Sequence, residues 1–277
     1  MKRILTALVA TPVALAGLFL LPPLWFLVLL ALFLEIAVWE YLAIVRPQAP
    51  HAPLRALLVL VPVAAVAFSA SMIEHSGSFT AEQHLLTAAT VLSVGVGSLL
   101  LFFRTPLEEV IPALGILGFG IPYFAAPIAA IHHLQAADPW LVALLFAIVW
   151  VGDTGAYYVG RRLGRHKMAP VVSPNKSWEG AAAGFAASLI AAAIWSFYRL
   201  DRIDPGLLGV AALTAMAAQV GDLMESLIKR GAGVKDSGHV LPGHGGVLDR
   251  MDAMLFAAPV MLLGFWLLRI GGLAIPR

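Results

Sequence analysis

Two pairs of acidic residues in the last quarter of the chain have the spacing expected of a metal site. Asp222 and Glu225 are three residues apart, and so are Asp249 and Asp252. On a helix this spacing places both side chains on one face, and carboxylate oxygens suit Mg²⁺ better than zinc. We therefore predict that the two pairs converge on a Mg²⁺ site. A plain ion pair between Glu225 and Lys229, four residues apart, is the alternative for that acid.

The segment between these pairs is rich in glycine and in positive charge. Its six glycines between positions 231 and 246 allow tight turns with exposed amides, which suit an anion. Four basic side chains in or beside it could neutralise several phosphates: Lys229, Arg230, Lys235 and Arg250. This mixture suits phosphoryl chemistry, in which a divalent metal ion and basic groups align two anionic reactants. No P-loop sequence occurs in the chain.

Asp153 belongs to a second polar cluster, near the end of an apolar segment. Its neighbours are small, which lets another helix or a ligand come close to the backbone. An acid deep in lipid is costly, so Asp153 is a candidate functional residue. A helix-packing site, with Asp153 paired to Arg161 or Arg162, is the alternative.

A third cluster precedes the next apolar segment and consists of Ser173, Lys176, Ser177 and Glu179. Either Ser173, which precedes a proline, or Ser177 is a suitable residue to begin a helix. The free N–H groups of such a helix start, with Lys176 beside them, suit a phosphate. An ordinary capped helix with one interfacial lysine is the alternative.

The elements that must position these residues are membrane helices. Hydrophobic residues make up 60% of the 277 residues and charged residues only 12%, about half the usual share in soluble domains. The mean hydropathy is +0.88. The chain has no cysteine, which excludes disulfides and thiolate metal sites. We predict an all-α, polytopic integral membrane protein.

Nine segments are long and apolar enough to span a bilayer, which takes about 20 residues: 4–21, 23–45, 54–73, 84–103, 110–131, 139–160, 179–198, 206–228 and 252–271. The first is expected to be an uncleaved span rather than a signal peptide. Three prolines in 110–131 leave open whether that segment is broken or re-entrant. Lysine and arginine predict a cytoplasmic N-terminus and a periplasmic C-terminus. We predict one membrane domain, with a scaffold over 1–135 and a catalytic half over 136–277.

Three sets of residues together resemble a known family. They are Ser226-x-x-Lys229-Arg230 with Lys235-Asp236-x-Gly238 and the run from Leu241 to Asp252, then Asp153 with Ala156-Tyr157, and then Ser173-Pro174-x-Lys176-Ser177-x-Glu179-Gly180. This pattern resembles the signature of the phosphatidate cytidylyltransferases, also called CDP-diacylglycerol synthases. The resemblance is strong over about 150–260, whereas residues 1–135 share only a multi-spanning character.

The resemblance implies transfer of a cytidylyl group from CTP to phosphatidic acid, giving CDP-diacylglycerol and pyrophosphate. The lipid phosphate would attack the α-phosphate of CTP in line, with Mg²⁺ present and a second metal ion left open. Asp222 and Asp249 become the preferred metal ligands, supported by Glu225 and Asp252, with Asp153 as a further acid. Catalytic roles fall on Asp222, Asp249, Lys229 and Arg250. Substrate-binding roles fall on Ser173, Lys176, Ser177, Glu179, Arg230, Lys235, His244, Gly245 and Gly246.

The expected partners are CTP, phosphatidic acid and the lipid bilayer, with no nucleic acid, and a homodimer is left open. The expected location is a bacterial inner membrane, with the active site facing the cytoplasm. An ion-coupled transporter is the main alternative, but the acids here gather at one predicted membrane face. A phosphotransferase acting on a CDP-alcohol would carry a D-G-x-x-A-R run, which the chain lacks.

Overall fold

A computed structural model describes residues 15–71, 94–238, 240 and 245–270. Its long helices are α1 (Pro23–Val45), α2 (Leu57–Ser71), α3 (Leu107–Ala137), α4 (Pro139–Leu163), α5 (Trp178–Leu200), α6 (Pro205–Gly231) and α7 (Leu248–Ile270). Residues 15–20 and 94–102 are also helical. Short 3-10 helices occupy Arg46–Gln48 and Leu54–Ala56, and two strands, β1 (Lys167–Ala169) and β2 (Ser173–Ser177), form one small sheet.

The described helices confirm an all-α, polytopic membrane protein. Six of them are long and apolar enough to cross a membrane, namely α1 and α3 to α7. The predicted span 54–73 corresponds to a 3-10 turn followed by the shorter helix α2. The predicted spans 4–21 and 84–103 lie partly outside the described residues. The count of nine spans and the orientation of the termini therefore stay predictions.

The segment 110–131 is neither broken nor re-entrant. It lies inside α3, a single 31-residue helix that contains Pro112, Pro122 and Pro127. Each proline removes one backbone N–H from the helix, which membrane proteins tolerate where neighbouring helices surround it. Helices α1 and α2 reach α3 at Gly120, where an added Cβ would lie 3.2 Å from both Tyr41 and Leu57.

The described residues group into two compact units. The first comprises residues up to His132 together with Ala232–Asp249, and the second comprises His133–Gly231 together with the residues from Arg250 onward. The first boundary lies within α3, close to the predicted division at 135. The segment Ala232–Asp249, expected in the catalytic half, groups with the first unit.

In the second unit, α4 and α5 run antiparallel with their backbones almost touching. A Cβ atom on Gly184 of α5 would lie 2.7 Å from the carbonyl oxygen of Gly152 on α4, and one on Gly180 would lie 2.9 Å from the carbonyl oxygen of Ala156. The Ser188 hydroxyl donates to the Ile148 carbonyl across the same contact, at 2.7 Å. Small residues thus permit the close approach predicted around Asp153.

Helix α5 begins after a hairpin, and Ser177 is its N-cap. The Ser177 Oγ accepts the Gly180 N–H at 3.2 Å, and Ser177 pairs with Lys167 in the sheet. The alternative start at Ser173 is wrong, because Ser173 pairs with Ala169 as the first residue of β2. A serine before a proline is compatible with an extended strand as well as with a helix start.

Candidate active site

The second unit carries three aspartates, from three helices, whose charges act on one another. Asp153 comes from α4, Asp222 from α6 and Asp252 from the first turns of α7. Helices α6 and α7 touch beside them, where a Cβ on Gly221 would lie 2.7 Å from the Asp252 carbonyl oxygen. Asp252 interacts electrostatically with both other carboxylates. The structure therefore brings together Asp153, Asp222 and Asp252, which the sequence assigned to one metal site from separate segments.

Lys176 on β2 adds a positive charge to this acid cluster. Its Nζ lies 2.6 Å from Oδ2 of Asp222, with both side chains partly exposed. The Lys176 charge also acts on Asp153. The predicted phosphate-binding lysine and two predicted metal ligands thus belong to one site, and the lysine is not merely an interfacial residue.

A cavity of about 700 Å³ opens beside Lys176 and Asp222. This volume is in the usual range for small-molecule sites. The walls combine acids, cations, hydroxyls and small residues from α4, the hairpin, α5 and α6: Asp153, Tyr157, Gly160, Arg161, Gly164, Lys167, Ser173, Asn175, Lys176, Ser177, Gly180, Gln219 and Asp222. A polar cavity with both charge signs can hold a phosphorylated ligand and a cation together.

Glu225 forms the ion pair that was left open as an alternative to metal binding. Its Oε2 lies 2.5 Å from the Nζ of Lys229, one helical turn later, and only 1% of the Glu225 side chain is exposed. Glu225 and Lys229 therefore form a buried ion pair next to the acid cluster. The positive charge of Lys229 acts on Asp252, a member of that cluster.

Glu179 holds the turn that leads into the hairpin. Its carboxylate accepts the backbone N–H groups of Arg165 and His166, each at 3.2 Å, and lies 2.6 Å from His166 Nδ1. It was predicted to bind substrate. That role stays a prediction, and the observed contacts also give the Glu179 carboxylate a role in shaping the hairpin that carries Lys176.

Asp249 closes the glycine-rich segment within the first unit. Its Oδ2 accepts the Gly246 N–H at 2.8 Å and the Ser237 N–H at 3.1 Å. Gly245 has a φ of +80°, a conformation that favours glycine. Gly245 and Gly246, predicted to shape a nucleotide loop, therefore form a tight turn around the Asp249 carboxylate.

The remaining predicted basic residues lie near this segment or before it. Arg230 Nε donates to the Val172 carbonyl at 3.3 Å. Lys235 and Arg250 are exposed. His244 lies outside the described residues. The substrate-binding roles of Arg230, Lys235 and His244 and the catalytic role of Arg250 stay predictions.

Several residues that line the cavity were given no catalytic or binding role from the sequence. Tyr157, Arg161, Lys167 and Gln219 line the cavity, and Arg161 donates to the Tyr157 hydroxyl at 3.0 Å. The i, i+4 spacing of Tyr157 and Arg161 at the end of α4 was the available signal. Glu40, a fully buried acid in the apolar helix α1, is also absent from the residues that the sequence singled out.

Donor chemistry and charge in the acid cluster fit Mg²⁺, although its ligands are not preassembled. Among the described residues, no three acidic or histidine side chains converge as a complete ligand set. The three aspartates nevertheless concentrate hard oxygen donors at one place, and the Lys176 ammonium already lies against Asp222 as a cation. These residues could hold a divalent ion if their carboxylates moved together around it.

Comparison with known sequences gives this site a family. The sequence model described as the Cytidylyltransferase family matches residues 1–268. The chain belongs to this family. A protein of Haemophilus influenzae named phosphatidate cytidylyltransferase is 32% identical over 283 aligned positions, covering 93% of this chain and 96% of that protein.

Further family members agree over a shorter region. Proteins with the same name from Staphylococcus haemolyticus and Staphylococcus aureus are 42% and 41% identical, over 52% of this chain and 54% of each relative. The chain is thus a nucleotidyltransferase enzyme and a multi-pass membrane protein.

Proposed function

We propose that the protein transfers the cytidylyl group of CTP to phosphatidic acid, producing CDP-diacylglycerol and pyrophosphate. The observation that carries this proposal is the cluster of Asp153, Asp222 and Asp252 with Lys176 at its edge, beside a cavity of about 700 Å³. The relatives' name, phosphatidate cytidylyltransferase, supports phosphatidate as the acceptor and cytidylyl as the transferred group. In phospholipid synthesis, such a reaction joins a water-soluble nucleotide to a lipid in the bilayer.

The proposed reaction exchanges one phosphoanhydride bond for another. A phosphate oxygen of phosphatidic acid attacks the α-phosphorus of CTP, and the bond from that phosphorus to the oxygen bridging the β-phosphate breaks. Pyrophosphate leaves with the bonding electron pair. Both reactants are anions, so the protein must reduce their repulsion and hold them in line.

Basic side chains of the cavity provide part of that neutralisation. Lys176 lies where it can exchange Asp222 for a phosphate oxygen, and Arg161 and Lys167 line the same cavity. Arginine and lysine bind phosphate through charge-assisted hydrogen bonds. We also propose further contacts that the sequence predicted. Phosphates would be bound by Arg230, Lys235 and Arg250, and the nucleotide by His244.

Asp222, Asp252 and Asp153 are the proposed holders of Mg²⁺, and Asp249 is added by the family resemblance. Bound Mg²⁺ supplies positive charge to the triphosphate. A second metal ion is left open. The Glu225–Lys229 pair makes Glu225 the weakest of the predicted ligands.

The proposed location is a bacterial inner membrane with the site facing the cytoplasm, where CTP is found. The positive-inside distribution of lysine and arginine supports this orientation. Phosphatidic acid would come from the surrounding bilayer. No nucleic acid takes part, and a homodimer stays a prediction.

Labelled CTP tests the reaction directly. Purified protein in detergent, given phosphatidic acid, Mg²⁺ and CTP labelled at the α-phosphate, should produce labelled lipid. The same experiment with a γ-phosphate label should leave the lipid unlabelled, because that phosphate departs in pyrophosphate. EDTA should stop the reaction and excess Mg²⁺ restore it. Label from the γ-position in the lipid would indicate a kinase, and no labelled lipid from either position would contradict the proposal.

Lys176→Ala should lower kcat/KM for CTP by roughly 10- to 100-fold, because a charge-assisted hydrogen bond contributes about 1.5–3 kcal/mol. The melting temperature should stay near that of the wild type, since Ser177 and not Lys176 caps α5. Lys176→Arg keeps the charge and should recover part of the activity. A collapse of the melting temperature in Lys176→Ala would favour a purely structural role.

A further inference from the structure

Glu40 is a fully buried acid in α1, a mostly apolar helix whose other acid, Glu35, is partly exposed. It lies near the end of α1 and its exposed fraction is 0%. Burial of a carboxyl group is costly unless hydrogen-bond donors surround it. The hydrogen-bond partners of Glu40 therefore indicate the structural role of this buried acid.

Three donors reach the Glu40 carboxylate, and all come from the glycine-rich segment or from the start of α7. Oε1 accepts the Val247 N–H at 3.1 Å, and Oε2 accepts the Leu248 N–H at 2.8 Å and the Ser237 hydroxyl at 3.3 Å. The first N–H groups of a helix have no partner within it, and the helix dipole favours negative charge there. Glu40 thus caps α7 from a distant part of the chain.

Two glycines of the family signature leave the space that Glu40 occupies. A Cβ on Gly238 would lie 2.6 Å from Oε1 of Glu40, and a Cβ on Gly246 would lie 2.5 Å from Oε2. Real Cβ atoms essentially never come this close, so a side chain at either position would require the Glu40 carboxylate to shift. Because glycine has no side chain, Gly238 and Gly246 allow the Glu40 carboxylate to lie close to the backbone.

Glu40 and Asp249 hold the same piece of backbone. Ser237 donates its hydroxyl to Glu40 and its N–H to Asp249. Gly246 donates its N–H to Asp249, and the next two N–H groups go to Glu40. The orientation of Asp249 thus depends on a turn that Glu40 anchors from the other side.

We propose that Glu40 is a positioning residue that fixes the glycine-rich turn before α7 and, through it, the carboxylate of Asp249. The consequence for turnover rests on the proposed function, in which Asp249 helps to hold Mg²⁺. The anchoring itself is independent of that function.

Glu40→Gln is the informative substitution because it keeps the size of the side chain. Glutamine offers one acceptor oxygen and one NH₂ group. In either orientation the NH₂ group faces at least one N–H or O–H donor of the turn, so the anchor is weakened without a cavity. Glu35→Gln, on the same helix but without a hydrogen bond to the turn, is the matched control.

Hydrogen exchange measures the anchor without any substrate. In Glu40→Gln, the amides of Gly246, Val247 and Leu248 should exchange roughly 10- to 100-fold faster than in the wild type. In the CTP assay, kcat should fall at least about tenfold, while Glu35→Gln matches the wild type in both measurements. Unchanged exchange in Glu40→Gln would overturn the proposal. Faster exchange without CDP-lipid formation by the wild type would leave the anchor standing and refute only the proposed function.

A steric rescue covers the case in which Glu40→Gln fails to fold. The three atoms nearest to a Cβ on Gly238 all belong to Glu40, so Gly238→Ala should displace Glu40 and accelerate exchange in the turn. Glu40→Ala removes the obstructing carboxylate, so adding Gly238→Ala to Glu40→Ala should cause little further change. Equal effects of Gly238→Ala in both backgrounds would show that Glu40 does not hold this turn.

Discussion

Asp222→Asn should lower the rate of CDP-lipid formation by roughly 100-fold or more, because loss of a metal-binding carboxylate costs several kcal/mol of transition-state stabilisation. Asp222 lies at the centre of the site, next to Lys176 and in electrostatic contact with Asp252. Asparagine keeps the shape and can still accept a hydrogen bond from Lys176. The assay follows α-labelled CTP into lipid at several Mg²⁺ concentrations, and melting curves check the fold.

Asp201→Asn is the matched control for this substitution. Asp201 is exposed at the end of α5 with a φ of +53°, a conformation that asparagine also adopts readily. Its activity and melting temperature should match those of the wild type. If Asp222→Asn turns over at the wild-type rate, the proposed role of Asp222 in holding Mg²⁺ is wrong.

Asp249→Asn and Asp249→Ala together should separate two roles of one carboxylate. Asparagine can place its oxygen where Oδ2 accepts the Gly246 and Ser237 N–H groups, so the turn should persist and the melting temperature should change little. Its charge is lost, however, and we expect activity to fall roughly 100-fold or more if the carboxylate binds Mg²⁺.

Asp249→Ala removes the hydrogen bonds as well as the charge. It should be equally inactive and also less stable by about 1–3 kcal/mol, since buried donors lose their acceptor. Activity and thermal denaturation of the two variants are measured side by side. An active Asp249→Asn beside an inactive Asp249→Ala would mean that Asp249 only holds the turn.

The helices were predictable because long apolar runs bounded by prolines or polar residues leave few alternatives. Predicted span 139–160 corresponds to α4 at Pro139–Leu163, and 23–45 corresponds to α1. Proline content alone could not decide the continuity of α3, because a proline is tolerated when other helices enclose it. Two serines also met the rule for a helix start, and only strand pairing excludes Ser173.

The site was predictable in its residue types but not in its pairings. Spacing grouped Asp222 with Glu225, whereas the structure joins Asp222 to Asp153 and Asp252 and gives Glu225 to Lys229. Side chains on one helical face can still have different partners, because the neighbouring helices decide which of them meet. Glu40 had no usable signal, because its hydrogen-bond partner Ser237 lies 197 residues away.

The near contact of the α4 and α5 backbones restricts how a lipid can enter. Entry between α4 and α5 would require these helices to separate, which would break the bond from Ser188 to the Ile148 carbonyl and the contacts of Gly152 with Gly184. Both helices line the cavity, so this boundary acts as its fixed wall. An acyl chain that reaches the cavity must therefore pass along a different helix boundary.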